Sequence, residues 1–302
     1  MRFIQKTPLA VSGLALSLAS LGNLLLPHGK AIQTMCGVLS AAILFLFCLK
    51  VILDFQSVKA DLKTPVVLSS LPSSAMTVMI LSVYVKPYIG AAAVSLWYLA
   101  IVCHVFILLV FAKRYVVKFN IQNVFPTWLV VCLGIVVVSY TGPEMNAEQL
   151  GKIIFYIGSA ICLVLLPAII YRVAKLGLPE PVRPTIAILT APMNLFLIGY
   201  FSTFEEPIAL LVYALLAASV MFFIFATIKV LSLLRTKFYP TFAAMTFPYV
   251  LTASAFKIAN DFLISNGYGF FSLVPVISKW MAIMIVIYVL ARYAIFFASE
   301  RK

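Results

Sequence analysis

The chain has 302 residues, of which 64% are hydrophobic and only 10% are charged, and its mean hydropathy is +1.12. Soluble globular domains are about 45–50% apolar and about 25% charged, so this composition excludes a cytosolic enzyme, a secreted disulfide scaffold and a disordered chain. A polytopic membrane protein remains, and the net charge of +13 has to be explained within that class.

Ten long apolar runs follow one another along the chain, each close to the ~20 residues that a spanning helix needs. They cover 8–26, 32–53, 65–86, 91–112, 125–142, 150–174, 184–203, 207–234, 240–263 and 272–297. Long continuous runs indicate helices rather than the short alternating strands of a membrane barrel. The sequence therefore predicts an all-α integral membrane protein with ten transmembrane helices.

The basic residues are distributed unequally between the two sides of these helices. Seventeen of the 22 Lys and Arg residues lie at the termini or in the connections that follow even-numbered helices, and five lie on the opposite side. By the positive-inside rule, both termini are cytoplasmic in a multi-pass protein of the cell (inner) membrane. The charge thus indicates topology rather than nucleic-acid binding, although residues 1–22 could alternatively be a signal peptide.

The odd-numbered helices share two markers. Each begins near a proline, a residue suited to the first turn of a helix because it lacks a backbone N–H, and these prolines are 57, 61, 58 and 56 residues apart: Pro8, Pro65, Pro126, Pro184 and Pro240. A second marker follows seven or eight residues later: Ala15, Pro72, Gly134, Pro192 and Pro248. An interior proline removes a backbone hydrogen bond and bends the helix, so these positions predict breaks.

The two sets of helices also differ in composition. The even-numbered helices are rich in Leu, Ile, Phe and Val, whereas the odd-numbered ones carry more Ser, Thr, Gly, Ala and Pro, which suit close packing or a pore. The repeat predicts a single transmembrane domain, 1–302, of five helical hairpins: 8–53, 65–112, 125–174, 184–234 and 240–297. We expect a pseudo-fivefold ring around a central pore or closed tube, with the odd-numbered helices inside.

Four segments in this order and spacing carry a family resemblance: VSGLALSLASL, TPVVLSSLP, RPTIAILTAP and AMTFP, in the first, third, seventh and ninth helices. The chain resembles the tellurite-resistance/dicarboxylate transporter family, which comprises TehA-like proteins and is homologous to the plant slow-type anion channels. The resemblance implies a narrow pore lined by the inner helices, a phenylalanine plug on the ninth helix, and homotrimers with one pore per protomer. The plug position corresponds to Phe247. This chain departs from the family pattern at Pro248, where glycine is frequent, and at Ala15, where proline is frequent.

Small residues near the markers are the other candidates for pore lining or kinks. They are Ser12, Gly13, Ala15, Pro72, Ser73, Gly134, Pro192 and Pro248. Helix packing favours the same residue types, so both interpretations stay open. His104, in the fourth helix, is expected to be packed or hydrogen-bonded rather than to relay protons.

The central stretches of the odd-numbered helices contain no Lys, Arg, Asp or Glu. Ion-coupled transporters usually bury an ionisable residue near the midplane, so passive movement is favoured. We expect an anion channel or channel-like transporter for small anions, and the alternative is a carrier-type exporter of dicarboxylate, sulfite or tellurite-like oxyanions. The sequence has no HExxH, GxSxG, P-loop or paired acidic metal motif, and its five cysteines form no CxxC pair, so we expect no enzyme activity, cofactor or metal.

Overall fold

The computed structural model describes residues 2–299, with side chains from residue 4, and this part of the chain is helical with short connections. Within it, nine segments are long and apolar enough to cross a membrane and one apolar helix is shorter. We number the ten α1 (Val11–His28), α2 (Lys30–Leu53), α3 (Pro65–Ile89), α4 (Ala91–Val116), α5 (Trp128–Thr141), α6 (Glu148–Leu176), α7 (Glu180–Thr203), α8 (Ala209–Leu233), α9 (Pro240–Ser265) and α10 (Leu273–Ser299).

Two short helices, Arg2–Gln5 and Phe55–Asp61, lie before α1 and after α2. Met1 of the predicted domain and the predicted cytoplasmic charges Arg301 and Lys302 lie outside the described residues. The fifth predicted span, 125–142, corresponds to the shortest of the ten helices. This helix, α5, starts at Trp128, after a turn at 126–127.

The odd-numbered helices form the interior. Between 56% and 83% of the apolar windows of α1, α3, α7 and α9 is buried, against 22–28% for every even-numbered helix. Almost every residue of α5 is buried as well. The large apolar side chains of the even-numbered helices, such as Phe106, Leu163 and Ile228, are exposed on the outside. This difference matches the composition contrast in the sequence.

Contacts between helices follow chain order. Each odd-numbered helix packs against the even-numbered helix that follows it, and also against the next odd-numbered helix, with α9 returning to α1. Hydrogen bonds join several of these neighbours, including Ser12 Oγ with Ser73 Oγ at 2.7 Å and Ser69 Oγ to Thr127 Oγ1 at 2.6 Å. The contacts among α1, α3, α5, α7 and α9 therefore close on themselves.

Four of the five odd-numbered helices change their winding near the second marker. A turn at Pro72 splits α3, and a 3-10 segment, Gly134–Val136, splits α5. The 3-10 segments Glu180–Thr190 and Pro240–Met245 begin α7 and α9 and end just before Pro192 and Pro248. By contrast, α1 runs as regular α-helix from Val11 to Leu25, since Ala15 retains the N–H that proline lacks.

His104 supports the break in α5 from a neighbouring helix. The side chain lies in α4, is fully buried, and places Nε2 3.1 Å from the backbone carbonyl of Val131. A carbonyl can only accept, so Nε2 donates. This confirms the expectation of a hydrogen-bonded histidine.

Candidate functional site

A narrow cavity of about 70 Å³ lies between the N-terminal halves of the odd-numbered helices. We call it the N-side cavity. All five odd-numbered helices or the turns before them contribute to its wall: Ala10, Gly13, Leu16, Val66, Ser70, Ser73, Met76, Thr127, Leu129, Val130, Leu133, Gly134, Thr185, Ile188, Ala191, Pro192, Leu195, Thr241, Ala243, Ala244, Phe247 and Pro248. The wall is mostly apolar, and its polar groups are Ser and Thr hydroxyls.

The lining residues recur at intervals of three. On α9 the series is Thr241, Ala244 and Phe247, and on α7 it is Thr185, Ile188 and Ala191. In a 3-10 helix, side chains three residues apart lie directly above one another, so the 3-10 segments of α7 and α9 present straight rows to the cavity. The wall is thus built in layers along the long axis of the cavity.

Phe247 ends the α9 row. Its side chain is 7% exposed and lies on the wall of the N-side cavity, one residue before Pro248. Most other buried phenylalanines of this protein, such as Phe155, pack edge-on or stacked against neighbouring rings. The Phe247 ring has no such aromatic partner in the described part of the chain, so ring–ring contacts do not fix its position.

A second cavity, of about 210 Å³, lies between the C-terminal halves of the same helices. We call it the C-side cavity. Its wall again comes from α1, α3, α5, α7 and α9: Ser20, Asn23, Leu24, Ile80, Tyr140, Ile198, Leu251, Ser254, Lys257 and Ile258. On α9 this wall begins at Leu251, one turn after Phe247. The two cavities therefore follow one another along the same five helices.

The structure brings six of the nine predicted site residues to the N-side cavity: Gly13, Ser73, Gly134, Pro192, Phe247 and Pro248. The other three are buried between helices. Ser12 hydrogen-bonds to Ser73, the carbonyl of Ala15 accepts the hydroxyl of Ser40 at 2.6 Å, and Pro72 occupies the turn within α3.

Two groups of lining residues were not predicted from the sequence. Thr127, Thr185 and Thr241 line the N-side cavity, and each directly follows a repeat proline, so the recurring Pro-Thr pair was an available signal. The second group comprises Ser20, Asn23, Tyr140 and Ser254 of the C-side cavity, which share no such spacing. Lys257 lines the same cavity, and its i, i+4 spacing with Asp261 predicts a local ion pair, with a role at the pore mouth as the alternative. That ion pair is not formed among the described residues, so this expectation was wrong.

The N-side cavity is lined by neutral groups. Its described lining residues carry no charge, and within residues 2–299 no cluster of three His, Cys, Asp or Glu could hold a metal ion. Hydroxyl dipoles and apolar surface can guide a small solute weakly but provide no acid, base or nucleophile cluster. The arrangement suits passage or occlusion.

Comparison with known proteins decides the family. The sequence model of the voltage-dependent anion channel family, SLAC1, matches residues 6–294. The chain belongs to this family. The match spans every lining residue of both cavities and confirms the resemblance to the tellurite-resistance/dicarboxylate transporter family. Family members are anion channels or transporters rather than enzymes, and ten apolar helices in such a chain indicate a multi-pass membrane protein. No curated protein matches the chain significantly.

Proposed function

We propose that this protein conducts small anions passively along the axis of α1, α3, α5, α7 and α9, and that Phe247 closes the path. One observation carries the proposal: the two cavities follow one another between the same five helices, and Phe247 lies near the boundary between them. It lines the N-side cavity, and on α9 the first residue that lines the C-side cavity is Leu251, one turn later.

The proposed architecture is a pseudo-fivefold ring of five hairpins forming one transmembrane domain, 1–302. The closed series of contacts among the odd-numbered helices supports it, as does the burial difference between odd-numbered and even-numbered helices. Neighbouring repeats are also joined by polar side chains. Asn194 Nδ2 of α7 donates to Thr252 Oγ1 of α9 at 2.8 Å, for example.

Steric occlusion and dewetting explain why a phenyl ring would close such a path. A hydrated anion must shed water to enter a narrow apolar tube, and few hydroxyls are present to replace that water. A bulky apolar side chain at the narrow point removes the remaining space. Replacing the benzyl side chain with the methyl group of alanine would restore room for water and ions.

We infer from the excess of Lys and Arg beside the beginnings of the odd-numbered helices that the N-side cavity faces the cytoplasm, with both termini on that side of the inner membrane. The basic rim on that side would favour anions over cations. We further propose a homotrimer with one path per protomer, on the strength of the family.

Phe247→Ala tests the gate. In planar bilayers or oocytes, we expect at least about a tenfold rise in anion current over the wild type, because the occluding ring is gone. Phe225→Ala is the matched control, since Phe225 is a partly exposed side chain of α8 that lines neither cavity. An unchanged, near-zero current from well-expressed Phe247→Ala protein would remove the gate assignment.

The interruption between the two cavities also suits a carrier-type exporter of dicarboxylate, sulfite or tellurite-like oxyanions. Flux measurements in liposomes separate the two functions. Linear, voltage-driven currents support the channel. Saturable, proton-dependent flux that is accelerated by counterflow supports the carrier.

A further inference from the structure

The C-side cavity contains a single cation. Among the described residues that line the two cavities, Lys257 alone carries a charge. Its ammonium group has no hydrogen bond or ion pair with any residue from 4 to 299, and the exposed carboxylate of Asp261, one turn further along α9, does not pair with it. The charge of Lys257 is therefore available to a solute in the cavity.

Ser20 gives a second, independent indication of a ligand. Its side chain is 8% exposed, it lines the C-side cavity, and its buried hydroxyl has no hydrogen-bond partner within the described chain. Buried polar groups in folded proteins almost always have partners, so this hydroxyl calls for one that is not part of the polypeptide. The cavity is where such a partner can sit.

Two further donors border the same space. The side-chain oxygen of Asn23 accepts a hydrogen bond from Gln33 Nε2 at 2.9 Å, and this leaves the Asn23 amide N–H groups for the cavity. The hydroxyl of Tyr140 has no partner among residues 4–299. An ammonium group donates only, and hydroxyl and amide groups can donate, so three helices present donors and one positive charge together.

We propose that Ser20, Asn23, Tyr140 and Lys257 form a binding site for one small monovalent anion, such as chloride, bromide or nitrate, in the C-side cavity. A single positive charge matches a single negative charge, which favours monovalent anions over dicarboxylates. The site rests on the proposed function in one respect: it concentrates the permeant ion at the outer end of the closed path.

Direct binding tests the site without any need for conduction. Chloride NMR line width is measured on the detergent-purified full chain and titrated with bromide. Wild-type protein should broaden the line and bromide should reverse the broadening, whereas Lys257→Gln and Ser20→Ala should lose most of the effect. Lys279→Gln is the matched control, because Lys279 contacts His28 and lines neither cavity. Equal broadening by Lys257→Gln and Lys279→Gln would overturn the site.

Conduction tests the consequence of the site on the Phe247→Ala background. Adding Lys257→Gln should lower the current carried by external anions about two- to threefold at low salt, because one attractive charge is lost. The difference should disappear near 1 M salt, where the screening length is about 3 Å, and Lys257→Arg should retain the current. Suppose that Phe247→Ala conducts, but that adding Lys257→Gln lowers its current no more than adding Lys279→Gln does. The proposed anion site is then wrong, and the gate assignment of Phe247 is unaffected. If Phe247→Ala does not conduct, the gate is wrong, and the line widths still decide the site.

Discussion

Gly134 lies where α5 changes its winding, and the absence of a side chain there makes room for two neighbours. A Cβ at this position would lie 2.6 Å from Met76 Sδ and 3.0 Å from His104 Cε1. At Gly13, the nearest atoms would be those of Ala243 at 3.5 Å, an ordinary contact distance. Two glycines that line the same cavity therefore differ in how they tolerate a methyl group.

Gly134→Ala should lower the unfolding temperature of the purified protein and Gly13→Ala should not. Overpacking a tight site costs about 1–3 kcal/mol, and here the added methyl group would meet the fully buried His104 as well as Met76. Gly13→Ala instead gains helix propensity of up to about 1 kcal/mol. Thermal unfolding in detergent measures both, and equal unfolding temperatures for the two variants would contradict this assignment of space.

The sequence predicts the depth of the lining residues in the membrane, but not always the face of the helix on which they lie. The second markers give a depth in the membrane, and Gly134, Pro192 and Pro248 at that depth do line the cavity. Ala15 does not, because α1 keeps regular α-helical winding while α7 and α9 begin as 3-10 helix. A change from 3.6 to 3.0 residues per turn rotates the side chains, and the residues alone do not reveal where it starts.

At the scale of the elements, the breaks in the odd-numbered helices depend on partners from neighbouring helices. His104 of α4 donates to the Val131 carbonyl beside the 3-10 segment of α5. Asn194 of α7 similarly donates to Thr252 of α9 and accepts from Ser219 of α8 at 2.5 Å. Such polar contacts satisfy groups that lipid cannot satisfy. They hold irregular winding in place near the cavities.

His104→Leu should destabilise the protein by about 1–3 kcal/mol, because the Val131 carbonyl would lose its side-chain donor in a buried apolar setting. Cys103→Ala is the control, since Cys103 is the exposed neighbour of His104 on α4. The unfolding temperature of each variant is measured as the temperature at which monodisperse protein is lost on heating. If the leucine variant unfolds at the same temperature as the cysteine variant, the hydrogen bond does not support the break.

The difference in composition between the helices predicts which of them are buried, but it does not predict these hydrogen bonds. Hydrophobicity and residue size separate a lipid-facing helix from a packed one, and the exposed fractions follow that separation. The partner of a single buried His or Asn depends on how the helices are turned against each other. No pattern in one sequence fixes that rotation, so His104 could be expected to have a hydrogen bond, but Val131 could not be named.

At the scale of the whole molecule, the clearest sequence signals were composition and charge. The apolar runs predicted the helices to within a few residues, and α5 is the one that is shorter than a usual membrane span. Composition alone predicts neither the proposed ring nor the proposed homotrimer: the ring is predicted by the fivefold repeat, and the homotrimer by the family resemblance. The contact of α9 with α1 is consistent with the ring.

The distribution of 17 basic residues against five predicts that both termini are cytoplasmic. A green fluorescent protein fused after Lys302 should fluoresce in bacterial cells, and alkaline phosphatase fused at the same position should be inactive. Phosphatase inserted at Gly29, in the exposed connection between α1 and α2, should be active and serves as the control. Active phosphatase at the C-terminus would reverse the assigned orientation of both cavities.

We have proposed that Phe247 closes an anion path through the five odd-numbered helices. The reversal potential of Phe247→Ala protein in a planar bilayer under a tenfold chloride gradient tests it most directly. We predict a large current that reverses near the chloride equilibrium potential, about 59 mV from zero for a monovalent ion. A current that reverses near zero, or at the potential of the cation, would contradict anion selectivity, and the absence of current would contradict the gate.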